Sequence, residues 1–130
     1  MAQGTSHFIA ETNVDFLSWS IGDLLRDAAH QRPDSTALII PADVYGRPER
    51  QWTYRELERE AGRVAAALLR SCEPGDRIAT WAGASSNLVM LHLGAALAGV
   101  VLVTLNAACR GEELKYLLNQ GDVRGVFLDR

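Results

Sequence analysis

Apolar and polar positions fall in blocks along this chain, and the spacing within each block predicts an element. Phe16, Leu17 and Trp19 form an apolar patch ahead of a helix that Ser20 can cap. Ile21, Leu24, Leu25 and Ala28 then recur at helical spacing along one face, with Asp23 favoured by the helix dipole in the first turn. Pro33 drives Arg32 towards extended geometry, so this helix should stop near Gln31. Ala37-Leu38-Ile39-Ile40 reads as a strand and Arg50-Gln51-Trp52 as its return. Pro41, Asp43, Gly46 and Pro48 supply the turn between them, which predicts an antiparallel hairpin on the edge of a sheet. Thr53-Tyr54-Arg55-Glu56 has the form of a capping box and opens a helix to about Ser71. Tyr54, Leu57, Ala61, Val64 and Leu68 lie on its apolar stripe, while Glu56 with Arg59 and Glu60 with Arg63 pair on the wet side.

The next stretch organises the rest. Asp76-Arg77-Ile78-Ala79-Thr80-Trp81 is a strand after the turn Glu73-Pro74-Gly75, and Gly83-Ala84-Ser85-Ser86 breaks it. A helix from Asn87 to Ala98 follows without a single charge, so it is buried nearly all round, and Gly99 suits the left-handed position past its end. Val100-Val101-Leu102-Val103-Thr104-Leu105 is a β-branched run of the kind found in strands covered on both faces. Two strands joined by such a helix lie parallel with a right-handed crossover. A short helix from Glu112 to Asn119 turns Leu114, Leu117 and Leu118 inward; Gly121 ends it and Gly125-Val126-Phe127-Leu128 begins a third parallel strand. The class is therefore α/β, a mainly parallel sheet with helices on both faces and an edge hairpin. Residues 1–15 are polar and expected to be loose, leaving residues 16–130 as the folded unit. Asp129-Arg130 follows the last strand with no covering helix, so the sheet is expected to be one piece of a larger domain.

Composition narrows the choice of partners. A net charge of −3, with Lys115 as the only lysine, provides no basic stripe for nucleic acid. Residues 89–105 carry no charge, but Gly94, His92 and Gly99 interrupt them and no basic anchors flank them, so they are not read as a membrane span. Cys72 and Cys109 stand outside any metal-ligand spacing and read as buried or half-buried thiols of a reducing cytoplasm. The start of the chain lacks a signal-peptide pattern.

Residues with reactive potential have structural explanations. Gly83-Ala84-Ser85-Ser86-Asn87 is distantly like a nucleophile elbow, but Asn87 replaces the second glycine and Ser85 serves as a helix cap. His92 on an apolar helix reads as a satisfied core histidine. Glu112 and Glu113 are adjacent, do not share a helical face, and favour the helix N-terminus instead. His7 and His30 have no partner in view. Neither the phosphate loop nor the dinucleotide turn is present, so no catalytic or metal-binding residue is assigned. The loop 106–110 follows a buried strand at the end of the sheet where α/β proteins bind ligands, making Asn106 and Arg110 the candidates for lining a binding channel.

Four segments in order resemble the adenylate-forming (AMP-binding) synthetases. Trp52-Thr53-Tyr54-Arg55-Glu56-Leu57 is similar to the family's first core motif, and Gly75-Asp76-Arg77-Ile78-Ala79 to the strand one helix later. The run from Leu93-Gly94-Ala95-Ala96 through Ala98-Gly99-Val100 to Thr104-Leu105-Asn106 is similar to the second motif, and Glu113-Leu114-Lys115-Tyr116-Leu117-Leu118 to the helix beyond it. Thr104 stands where many members have proline, and Gly83-Ala84-Ser85-Ser86 differs from the usual turn. The Phe16-Leu17-Ser18-Trp19 entry and the Ala-Ala-Leu-Ala-Gly helix ending most resemble bacterial fatty-acyl-CoA synthetases.

The resemblance implies the incomplete N-terminal subdomain of a larger synthetase. In that enzyme a carboxylic acid, here a fatty acid, attacks ATP with Mg²⁺ present to give an acyl-adenylate, and coenzyme A then displaces AMP. The family's phosphate loop, ribose-binding acid and catalytic lysine have no counterpart among these 130 residues. The fragment alone is thus expected to be inactive and to hold no cofactor, with the remainder of its own chain as its first partner. Two alternatives stand: part of an adenylation domain that loads a carrier protein, and a non-catalytic interaction module. The module would pair through its open sheet edge or apolar face, and the fragment itself is expected to form a homo-oligomer through uncovered apolar surface.

Overall fold

A computed structural model describes residues 18–42 and 46–128. In chain order its elements are α1 (Ile21–Gln31), β1 (Thr36–Ile40), β2 (Arg50–Thr53), α2 (Tyr54–Leu68), β3 (Arg77–Trp81), α3 (Ser86–Ala98), β4 (Val101–Leu105), α4 (Gly111–Gly121) and β5 (Gly125–Leu128). Phe16, Leu17, Asp43, Asp129 and Arg130 lie outside the described residues.

Local chemistry sets the helix starts. Ser20 accepts from the Asp23 amide while the Asp23 carboxylate accepts from the Ser20 amide at 3.0 Å, and Thr53 with Glu56 repeats this reciprocal cap. The second cap also decides an ion pair. With the Glu56 carboxylate turned back onto Thr53, Arg59 pairs with Glu60 at 3.5 Å rather than with Glu56 as the spacing predicts, and Glu60 takes Arg63 as expected. Ser85 caps α3, and Gly99 ends it at φ +69°.

The core forms around the crossing of α2 and α3. Ala61, Ala65, Leu57 and Leu68 are buried on α2, and Met90, Leu91, Gly94, Ala95 and Ala98 on α3. At Gly94 the helices come so close that a Cβ would lie 2.5 Å from Val64 Cγ1 and 3.1 Å from the Ala61 carbonyl oxygen. α1 packs on the same layer through Gly22, Leu25 and Ala29, turned from the predicted face: Ile21 is 64% exposed and Leu24 48%. The reason is again contact distance, because Gly22 approaches the Ala96 carbonyl and Leu97, and that approach requires the small residue inward.

Sheets lie on both sides of this helical layer. The three-stranded sheet is parallel in the order β4-β3-β5, with Ile78 opposite Leu102 and Gly125. Ile78 packs under α2 and α3, whereas Val103 on the other face meets α4 at Gly121, so helices do cover both faces. The hairpin pairs antiparallel as predicted but forms its own two-stranded sheet. Ala37, Leu38 and Trp52 find apolar cover on Leu25, Leu57, Ala61 and Met90, away from the parallel sheet. β4 is also less covered than its β-branched run suggests, with Val101 47% exposed. Leu114, Leu117 and Leu118 are half-buried.

Asp76 joins the start of β3 to β5: its carboxylate accepts from the Glu73 amide at 2.7 Å and from Arg124 at 2.5 Å. The backbone bond to Glu73, then Arg124, lowers its pKa, and the Ser20 and Thr53 caps likewise lower those of Asp23 and Glu56. Depressed folded-state values mean stability present above the ordinary values, 3.8 for Asp and 4.5 for Glu, and lost as pH falls through the lower folded ones. Urea unfolding should therefore show falling stability below about pH 4.5, and Asp76→Asn should flatten that fall. Gly94→Ala should destabilise by about 1–2 kcal/mol, since the clash outweighs the helix propensity gained. Gly62→Ala, into open space on α2, should stabilise by roughly 0.5–1 kcal/mol in the same assay.

Candidate functional site

Asn106 and Arg110 lie in the loop at the carboxyl end of β4, ahead of α4, as their positions in the sequence predict. The structure brings them together with a third residue, Trp81, at the carboxyl end of β3. The Trp81 indole Nε1–H donates to the Ala107 carbonyl at 3.2 Å, and the Arg110 guanidinium stands over the indole ring, 5.2 Å from its centroid. Arg110 Nη1 also donates to the carbonyls of Ala107 at 2.6 Å and Cys109 at 2.8 Å. The Asn106 carboxamide oxygen accepts from the Ala108 amide at 2.9 Å, and the Asn106 carbonyl from the Cys109 amide at 3.0 Å. Cys109 is buried beneath this loop.

Chemically, this is a fastened loop. One carbonyl takes donors from both Trp81 and Arg110, so the segment after β4 is tied to the neighbouring strand at the carboxyl end of the sheet. Trp81 was not signalled by any motif. The one hint in the sequence is an aromatic residue with a hydrogen-bond donor at the last position of an otherwise small and apolar strand.

A second concavity lies on the other side of the molecule, a groove of about 1030 Å³ between α2 and β5. Leu68, Cys72, Ile78, Met90, Leu91 and Phe127 are among its walls, and neither Asn106 nor Arg110 lines it. Thr80 Oγ1 is buried there without a hydrogen-bond partner, the one such side-chain atom among the described residues. Arg124 on the rim is held by Asp76. The groove thus joins apolar walls to further polar groups, Ser71, Ser86, Asn87 and Glu60, the last paired with Arg63 at 2.9 Å.

The remaining candidates have structural roles. Ser85 Oγ accepts from the Leu88 amide at 3.2 Å. His92 is exposed, where the apolar helix pattern predicts a core position, and its Nδ1 lies 2.9 Å from the Leu88 carbonyl oxygen. The reason is that α3 keeps one face clear of its neighbours. Glu112 pairs with Lys115 at 3.4 Å. Cys72 and Cys109 are free thiols. Among the described residues, no group of three or more His, Cys, Asp or Glu is arranged to hold a metal ion, and no helix is long and apolar enough to cross a membrane. As a fit test for ATP and Mg²⁺, the described residues offer no grouped carboxylates for the metal, and Arg110 has Nη1 committed to the carbonyls of Ala107 and Cys109.

Comparison with known proteins bears on the whole fold. Residues 25–130 match the family described as AMP-binding enzyme. The chain is 28% identical over 128 residues to the mouse mitochondrial medium-chain acyl-CoA ligase ACSF2, covering 98% of this chain and 20% of that protein. It is 35% identical over 118 residues to the Aspergillus fumigatus acyl-CoA ligase sidI, covering 90% of this chain and 19% of that one. Among solved structures, a Mycobacterium tuberculosis fatty acyl CoA synthetase aligns with a TM-score of 0.76 and 27% identity, over 84% of this chain and 21% of that chain. The N-terminal subdomain of Klebsiella oxytoca NpsA aligns with a TM-score of 0.73 and 26% identity, over 85% and 27%. The chain thus spans about a fifth of the length of these curated relatives.

Arg110→Ala removes two donors and the cation from this loop and should cost it about 1–2 kcal/mol of local stability. Amide exchange at Ala108 and Cys109 should then rise roughly 5- to 30-fold, with exchange in α2 unchanged.

Proposed function

The chain belongs to the AMP-binding enzyme family, and from that membership we propose that it is the N-terminal part of an ATP-dependent acid–CoA ligase acting on a fatty acid. The observation that carries this reading is the extent of the match. The order of elements runs through almost the whole chain, and the curated relatives it covers at 90–98% of its own length are acyl-CoA ligases. In this reading the chain builds the foundation of the larger domain, while ATP, Mg²⁺, the carboxylic acid and coenzyme A are held chiefly by residues outside these 130. The loop 106–110 contributes one edge of the acyl or CoA channel, with Asn106 shaping the turn and Arg110 and Trp81 holding it at the sheet. Two unpaired thiols suit a reducing compartment, and a cytoplasmic location goes with the proposal.

A carrier-protein-loading adenylation domain is the second reading, supported by the likeness to NpsA, which has been solved as part of an artificially fused adenylation–PCP di-domain. The acceptor separates the two. A longer polypeptide from the same gene should convert a fatty acid, ATP and coenzyme A to acyl-CoA, AMP and pyrophosphate; turnover only with a carrier protein would favour the second reading, and no adenylation at all would refute both. The 130-residue chain alone should neither turn over nor bind ATP in the micromolar range by calorimetry. In the longer polypeptide, Arg110→Ala should raise the KM for coenzyme A or the acid several-fold, and an unchanged KM would remove the loop from the channel.

A further inference from the structure

Arg110 stands at the N-cap of α4, the position where a serine, threonine or aspartate ordinarily accepts from a first-turn amide. A guanidinium has no acceptor, and no side chain caps this helix, whereas the hydroxyls of Ser20, Thr53 and Ser85 cap α1, α2 and α3. A cation is also unfavourable at the positive end of a helix dipole. The next residue does not repair the start, because Gly111 sits at φ +54° with open space around it. Neighbours in the chain therefore leave the approach to α4 unfixed.

Fixing comes from across the sheet. Trp81 ends β3 in register with Leu105, the last residue of β4, so it lies beside the chain as it leaves the sheet. Its indole N–H bonds the Ala107 carbonyl, and its ring lies under the Arg110 guanidinium. Arg110 thus turns back from the helix that it cannot cap and donates to the Ala107 and Cys109 carbonyls. The Ala107 oxygen has two lone pairs and can hold both donors at once. Ring and N–H have separate tasks: the ring orients Arg110, and the N–H anchors the backbone.

We propose that Trp81 is a positioning residue of the ligase: standing in for the absent cap of α4, it gives the loop 106–110 its working shape before any substrate arrives. The proposal rests on the reading of this loop as an edge of the acyl or coenzyme A channel. A loop already ordered spares the binding step the cost of ordering it. Loss of that order weakens substrate binding and leaves the chemical step, carried by other residues, unchanged.

The test uses the longer polypeptide from the same gene. Trp81→Leu removes ring and donor, whereas Trp81→Phe keeps the ring and removes only the donor. In Trp81→Leu the KM for coenzyme A or for the acid should rise about fivefold or more with kcat within about twofold, and Trp81→Phe should fall between it and the unaltered protein. Because Trp81 acts through Arg110, combining Trp81→Leu with Arg110→Ala should raise that KM no more than about twofold beyond the larger single effect. Effects that multiply, an unchanged KM, or a lower kcat at constant KM would overturn the proposal. Trp81 is half-buried; should Trp81→Leu not fold, Trp81→Phe decides by the same criteria at about threefold. Amide exchange keeps the two readings apart, since it needs no turnover. Trp81→Leu should speed exchange at Ala108 and Cys109 by about tenfold, with α2 unchanged. Unaltered exchange there overturns the role of Trp81 even in an active ligase. Faster exchange in a polypeptide that forms no acyl-adenylate refutes the ligase reading instead.

Discussion

The contact on which this structure depends is the closest approach of α2 and α3, where Gly94 faces Ala61 and Val64 with no room for another carbon. Burying a Leu side chain contributes roughly 1.5–3 kcal/mol, so Leu57, Leu68 and Leu91 add substantially at the same seam. The small residues decide its geometry and the large ones its stability. Because the seam is tight, the helical layer has two usable outer surfaces. The parallel sheet takes one through Ile78, Leu102 and Val100, and the hairpin takes the other through Leu38 and Trp52.

From this arrangement follows the division of labour at the carboxyl ends of the strands. β3 lies at the centre of the sheet, so its last residue, Trp81, stands beside the loop that leaves β4. A hydrogen bond and a cation–π contact then suffice to hold that loop. The Ala107 carbonyl takes both the Trp81 and the Arg110 donor, which makes the loop a fastened border of the sheet.

Much of this was legible in the sequence, and the reason is range. Capping boxes at Ser20–Asp23 and Thr53–Glu56, the stop at Gly99 and the uncharged α3 rest on contacts within four or five residues. The same holds for the parallel strands on either side of α3, because a helical connection of that length leaves no other pairing. The place of Asn106 and Arg110 in the loop between β4 and α4 was likewise legible from position alone. The family motifs extended this reading across nearly the whole chain.

What only the tertiary structure decided concerns which surfaces meet. The hairpin forms its own sheet because its apolar side finds α1 and α2, a choice that strand periodicity does not encode. α1 turns Gly22 inward because the available gap beside Leu97 admits no larger residue. Arg110 is committed to loop carbonyls and to an indole 29 positions away in the chain, and no local pattern couples those two. Sequence by itself determined the elements and their handed connection, through forces acting between near neighbours. The seam and the fastened loop depend on distances between residues far apart in the chain, and those exist only once it has folded.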